Sequence, residues 1–327
     1  MEYTIDFDHY KQTLLKHCQN TIEEFAKKPE NQNVYSFVLD AEATYGGIYV
    51  RWNSLDGLAH TLTFDCYKNY SDERVYGFRG LKHSVGDFRF EDAKNEELWD
   101  INNQYGAVLD QLWDKDDEGE EGNRYIKKFM NMLIEVVGEL SSSFDLFNKT
   151  EDFIAYVVEH DEEWDAFIHK TVSKEQFYKA FPEIKAYEEF KADISRRPIQ
   201  EQVDFWCQTY IDFKIENPTE HVMALKKLFR YDFDIKDQLV SIGKSAVPTV
   251  VTLLEKIVND HSTSTDEKVN LAPWICQSIL IDIGTADEND IQRLITILAN
   301  QRESNDSNAS NTERILTAID PVRFPNG

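Results

Sequence analysis

Only four cysteines occur in 327 residues, Cys18, Cys66, Cys207 and Cys276, and no Cys-x-x-Cys pair is among them. This excludes a disulfide-stapled scaffold and a thiolate zinc site; four reduced, half-buried thiols in a cytoplasmic protein are expected. No run of about 18 apolar residues is present, so no segment can cross a membrane as a helix. The opening residues, MEYTIDFDHYKQ, lack both a basic stretch and an apolar core, and no secretory leader is expected. The sequons at Asn69-Tyr70-Ser71 and Asn148-Lys149-Thr150 then read as chance matches. Bases are scarce: 35 Lys and Arg face 60 Asp and Glu, a formal net charge of −25. Phosphate neutralisation needs clustered bases, so nucleic acid is not an expected partner. The charge suits a basic protein partner or plain solubility.

Apolar material is ample. Hydrophobic residues make up 41% of the chain and aromatics 13%, too much for an acidic disordered polypeptide. The length points to two domains. Phe7, Tyr10, Leu14, Cys18, Ile22 and Phe25 recur at spacings of three and four, predicting an opening helix that Pro29 stops. The pattern then changes period. Val34 to Leu39 and the alternating Ile48, Val50 and Trp52 flank Tyr45-Gly46-Gly47 and predict an antiparallel hairpin. Weaker strand candidates are Thr61 to Cys66, Val75 to Phe78 and Phe88 to Phe90. Helices are predicted from Glu96 to Leu112 and from Asn123 to Leu140, with a very acidic loop between them. Phe153 to Val158 is either a buried strand or a helical turn. Ser173 and Gln176 form a capping box that opens a helix ended by Pro182.

Around Ser195 to Pro198 the character shifts, and no convincing strand follows. We place a domain boundary near residue 195, giving an α+β domain over 1–195 and an all-α domain over 196–327. Residues 199–327 hold 20 acids and 12 bases, so most of the net negative charge lies in the first 198. Ile199 to Phe213 is an amphipathic helix. Two segments then echo each other: Leu239 to Gly243 precedes a helix over Val250 to Val258, and Ile279 to Gly284 precedes one over Ile291 to Leu298. Gly243 and Gly284 stand 41 residues apart, a paired-helix repeat spacing. Each glycine is placed to end a first helix, and Pro248 to sit in the opening turn of the next. The run LVSIGKSAVPTVVTLL resembles the HEAT-type helical-repeat family over about residues 220–320. The second repeat lacks the proline. The Ile199 helix and Arg314 to Ile319 are candidate caps, and polar Gln301 to Asn311 reads as a mobile loop.

The first half resembles a bacterial domain family of unknown function found among immunity proteins of polymorphic-toxin systems. The resemblance rests on the opening helix and on VYSFVLDAEATYGGIYVRWNS, KHSVGDFRFED and VSKEQFYKAFPEI. Family members often carry Trp where this chain has Phe88. The resemblance implies an α+β fold with a small antiparallel sheet and a protein that blocks a toxic enzyme by binding it. No catalytic residue is carried over.

Motifs for chemistry are incomplete. Gly243-Lys244-Ser245 lacks the glycine a phosphate loop needs, since Gln238 stands there. Asp114, Asp116, Glu118 and Gly119 imitate the start of a calcium loop, but Glu121 and Tyr125 stand where an apolar residue and a bidentate acid belong. His160 lacks the second histidine of a zinc-protease helix. His9 and His17 are too far apart to share a metal without a third group. Neither a nucleophile elbow nor a dinucleotide fingerprint occurs. No metal, no cofactor and no enzymatic activity are therefore expected.

One segment stands apart. Residues 110–121, DQLWDKDDEGEE, hold seven acids and one lysine around a tryptophan. Such a run is either a solvated loop or a docking surface for a cationic protein, such as a basic toxin domain. In the second reading the contact residues are Trp113, Asp114, Asp116, Asp117, Glu118, Glu120 and Glu121, with Trp113 as anchor. Trp113 fits a core position equally well. Trp52 and Trp99 are expected in the core.

Overall fold

The computed structural model describes residues 4–78, 80–115, 119–160, 166–214, 233–260, 267–304 and 308–325. The chain divides into two compact units, Met1–Lys185 and Ala186–Gly327.

In the first unit helix α1 spans Phe7–Ala26, and the Asp6 side chain accepts from the Asp8 and His9 amides at its free N-terminus. Its stripe from Phe7 to Phe25 is buried as the periodicity requires. Strands β1 (Val34–Glu42) and β2 (Gly47–Ser54) form the expected antiparallel hairpin, with Asp40 opposite Tyr49. The turn requires Gly46, whose φ is +83° and where a Cβ would lie 2.7 Å from the Asn102 carbonyl oxygen. Strand β3 is only Phe90–Glu91, and β4 covers Lys149–Glu159. The order is β3-β2-β1-β4.

The sheet is mixed, which corrects the expected antiparallel one. β4 runs parallel to β1, with Val38 opposite Tyr156. A parallel neighbour needs a long crossover, and here the helices between β3 and β4 lie within it. They are α4 (Glu96–Lys115) and α5 (Glu120–Glu139), numbered after two short helices, α2 (Leu55–Thr61) and α3 (Asp72–Tyr76). Those two short helices account for two strand candidates: Val75 lies in α3, and Thr61 ends α2 ahead of turns. Phe153 to Val158 is strand. Central β1 is covered on both faces, which explains its unbroken apolar run. Phe37, Leu39, Val50, Trp52 and Val157 join the core of α1, α4 and α5. Val38, Ile154, Tyr156 and Val158 pack on the opposite side with α6 (Ile168–Thr171) and α7 (Lys174–Ala180). Pro182 does not merely stop α7; it opens α8 (Pro182–Ser195), in a first turn whose N–H groups have no intrahelical acceptor to lose.

The unit division falls within α8, whose Tyr187, Phe190 and Ile194 belong to the second core. All described elements of the second unit are helical: α9 (Ile199–Lys214), α10 (Phe233–Ile242), α11 (Val247–Asp260), α12 (Glu267–Ile283), α13 (Glu288–Glu303) and α14 (Ala309–Ile319). Gly243 and Gly284 both have left-handed backbone, φ +67° and +61°, and each follows the end of a helix. The polar stretch Gln301 to Asn311 is largely helical where described. Gln301 is buried, and its Oε1 accepts from Thr312 Oγ1 at 2.7 Å.

Candidate interaction surface on helix α4

Helix α4 buries Leu98, Ile101, Tyr105, Val108 and Leu109, spaced three and four apart. The opposite side carries Glu96, Asp100, Asp110 and Asp114, while Glu97 lies on the flank beside α1, 3.9 Å from His9; no lysine or arginine occurs in the helix before Lys115. Two tryptophans share that outward side. Trp99 is 60% exposed, not buried in the core, because Leu98 and Ile101 take the inward positions on either side of it. Trp52 is in the core, as expected. Trp113 stands fourteen residues beyond Trp99, which brings the two within about 40° around the axis and about 21 Å apart along it.

Trp113 is both anchored and accessible. Its indole lies against Gly119 and Gly122, where it leaves no room for a Cβ, while 36% of the residue faces solvent. Gly119 adopts φ +70° and turns the chain into α5. The tryptophan thereby closes the acidic hairpin between the two helices. Asp114, Glu120 and Glu121 are exposed, and Glu121 reaches Arg124 at 3.3 Å. Asp116, Asp117 and Glu118 lie outside the described residues.

A cavity of about 140 Å³ opens at the other end of the same helix, lined by β2, by the residues after β3 and by α4. Its floor is fixed by a polar network. His17 Nε2 and Asp92 Oδ2 are 2.5 Å apart, Asp92 Oδ1 accepts from the Val50 amide at 3.1 Å, and Asn95 Nδ2 lies 3.3 Å from His17 Nδ1. Tyr10 donates to Asn102 at 2.5 Å. At the mouth, Lys94 lies 5.7 Å from the Trp99 ring centroid and Arg51 lies 4.9 Å from that of Tyr49. Tyr45, in the turn of the adjacent hairpin, is exposed as well. Sequence reasoning missed this end of α4. The two-heptad spacing of its tryptophans was the available signal.

Elsewhere the chemistry is muted. A larger cavity of about 370 Å³ in the second unit is lined by residues including Asp204, Cys207, Thr249 and Lys256. Burial first, and the Asp204 charge second, push the Cys207 thiol up to about 12, so it stays protonated and a poor nucleophile at neutral pH. Cys18 and Cys276 are buried as well, and Cys66 is exposed. His83 is driven down to about 3, chiefly by burial and then by the neighbouring Lys82 charge. Lys82 in turn pairs with Asp152 at 2.6 Å. Among the described residues no three His, Cys, Asp or Glu side chains converge to hold a metal ion, and no helix is long and apolar enough to cross a membrane. Comparison with protein families, with curated proteins and with solved structures finds no match.

Proposed function

We propose that this chain is a non-enzymatic protein-binding factor of the immunity type, acting in the cytoplasm by docking the outward face of α4 on a basic toxin domain. The observation that carries the reading is the joint placement of Trp99 and Trp113 on the outward half of one helix with Glu96, Asp100, Asp110 and Asp114, and with no base in the helix before Lys115. Aromatic side chains supply contact area at interface centres, and uncompensated like charge speeds capture of a cationic partner. A toxin that acts on nucleic acid has a basic substrate face, which an acidic helix would occlude. The test is co-expression with the toxin encoded beside the gene. Rescue of growth together with a complex on gel filtration is expected; growth arrest with no complex removes the proposal.

A second reading makes the chain a HEAT-type scaffold for a housekeeping partner. It is favoured by the equivalent left-handed glycines at 243 and 284, each ending the first helix of a pair, and by Pro248 in the opening turn of α11. A partner held by the second unit in the absence of any toxin gene supports it.

A further inference from the structure

Strand β2 begins with an unfilled position on its β3 side. Antiparallel pairing alternates backbone groups between the two sides of a strand. Val50 turns toward β3: its carbonyl accepts from the Asp92 amide at 3.0 Å, and its own amide is taken by the Asp92 carboxylate. Ile48, two residues back, must turn its N–H and C=O the same way. The β2–β3 ladder, however, contains only Arg51–Glu91 and Trp52–Phe90, and after Asp92 the chain leaves toward α4. Ile48 therefore faces the 140 Å³ cavity with no strand opposite it. Trp99 and Tyr49 wall that cavity, Glu91 lies on its rim and holds Arg51 at 3.1 Å, and the exposed Glu96 follows at the start of α4.

We propose that this notch receives an extended, arginine-bearing segment of the partner protein, which continues the line of β3 as an added edge strand. The inference rests on the protein-binding reading and specifies its mode. Main-chain bonds to Ile48 supply the register, and the guanidinium stacks on Trp99 in place of Lys94, near Glu96 and in competition with Arg51 for Glu91. A two-residue β3 is the kind of short edge that leaves room for such an addition.

The probes are three labelled nine-residue peptides titrated against the full chain at low salt: alternating Arg and Val, alternating Glu and Val, and the Arg/Val peptide N-methylated on one edge. The Arg/Val peptide should bind and the Glu/Val peptide should not. N-methylation, which leaves the charge intact, should weaken binding at least tenfold, and Trp99→Ala should weaken it about tenfold with an unchanged circular dichroism spectrum. Equal binding of the methylated peptide, indifference to Trp99→Ala, or no binding of the Arg/Val peptide overturns the notch. The two proposals separate on the whole partner. Capture by wild type and Trp99→Ala alike removes only the notch, whereas peptide binding without partner capture removes only the immunity reading.

Discussion

In the first unit ionic groups reach deep into the sheet: Asp40 is 2% exposed and held by Arg51 at 3.0 Å, Lys82 meets Asp152, and His17 meets Asp92. Rings fill much of the space around them, including the stacked pair Tyr105 and Phe129 with centroids 4.5 Å apart. The second unit is built largely from Val, Leu and Ile, and among its described residues a single carboxylate is buried, Asp290, held by Arg293 at 3.2 Å while Arg293 also binds Glu255 at 2.6 Å. The contrast teaches where specificity is fixed. Aliphatic helix packing tolerates many alternatives, whereas a buried carboxylate must meet its partner or pay desolvation. The docking surface proposed on α4 lies on the more rigidly specified of the two frames.

Matched truncations give the largest effect. Phe129→Ala should destabilise the first unit by about 4 kcal/mol, and Leu294→Ala the second by about 3 kcal/mol. Amide hydrogen exchange should show each loss confined to its own unit. Spread into the other unit would break the comparison.

Acid should separate the units next. His83 is neutral when folded, with its pKa near 3 against 6.5 unfolded, so the unfolded chain binds the extra proton. The stability this contributes is complete above pH 6.5 and falls as pH drops toward 3, by about 3 kcal/mol at pH 4. Urea unfolding against pH should show this slope in the first unit, and His83→Gln should remove it.

A smaller effect tests the helix stop in the second unit. Open space surrounds the direction in which a Cβ on Gly243 would project, so Gly243→Ala meets only the cost of its positive φ, about 1 kcal/mol. Thermal melts should show that modest loss and no change in the first unit.

Smallest in stability is neutralisation of Asp114, Asp116, Asp117, Glu118, Glu120 and Glu121 to their amides. Unfolding should move by no more than about 0.5 kcal/mol, the scale of surface substitutions such as those at the exposed Asp114, Glu120 and Glu121. Stopped-flow association with the partner should nevertheless slow and lose salt dependence. An unchanged rate at low salt returns the segment to a solubility role.

The sequence made periodic features legible. The α1 stripe, the hairpin about Gly46 and the helix-ending roles of Gly243 and Gly284 each follow from local spacing or a backbone requirement. Pairing of β4 with β1 was not legible, because parallel partners are chosen by tertiary packing across more than a hundred residues. The short helices α2 and α3 were hidden for a related reason: their few apolar residues satisfy strand and helix patterns equally. Of the candidate site, the acidic run and Trp113 were visible as composition. Trp99 was missed because a default of burial for tryptophan ignores that Leu98 and Ile101 already occupy the inward face.

The most direct test is hydrogen–deuterium exchange of the full chain with and without the protein encoded beside it. Our account predicts protection concentrated in residues 47–50 and 91–121, with residues 199–325 unchanged. Protection centred on the second unit's helices, with α4 exchanging as freely as before, would contradict it.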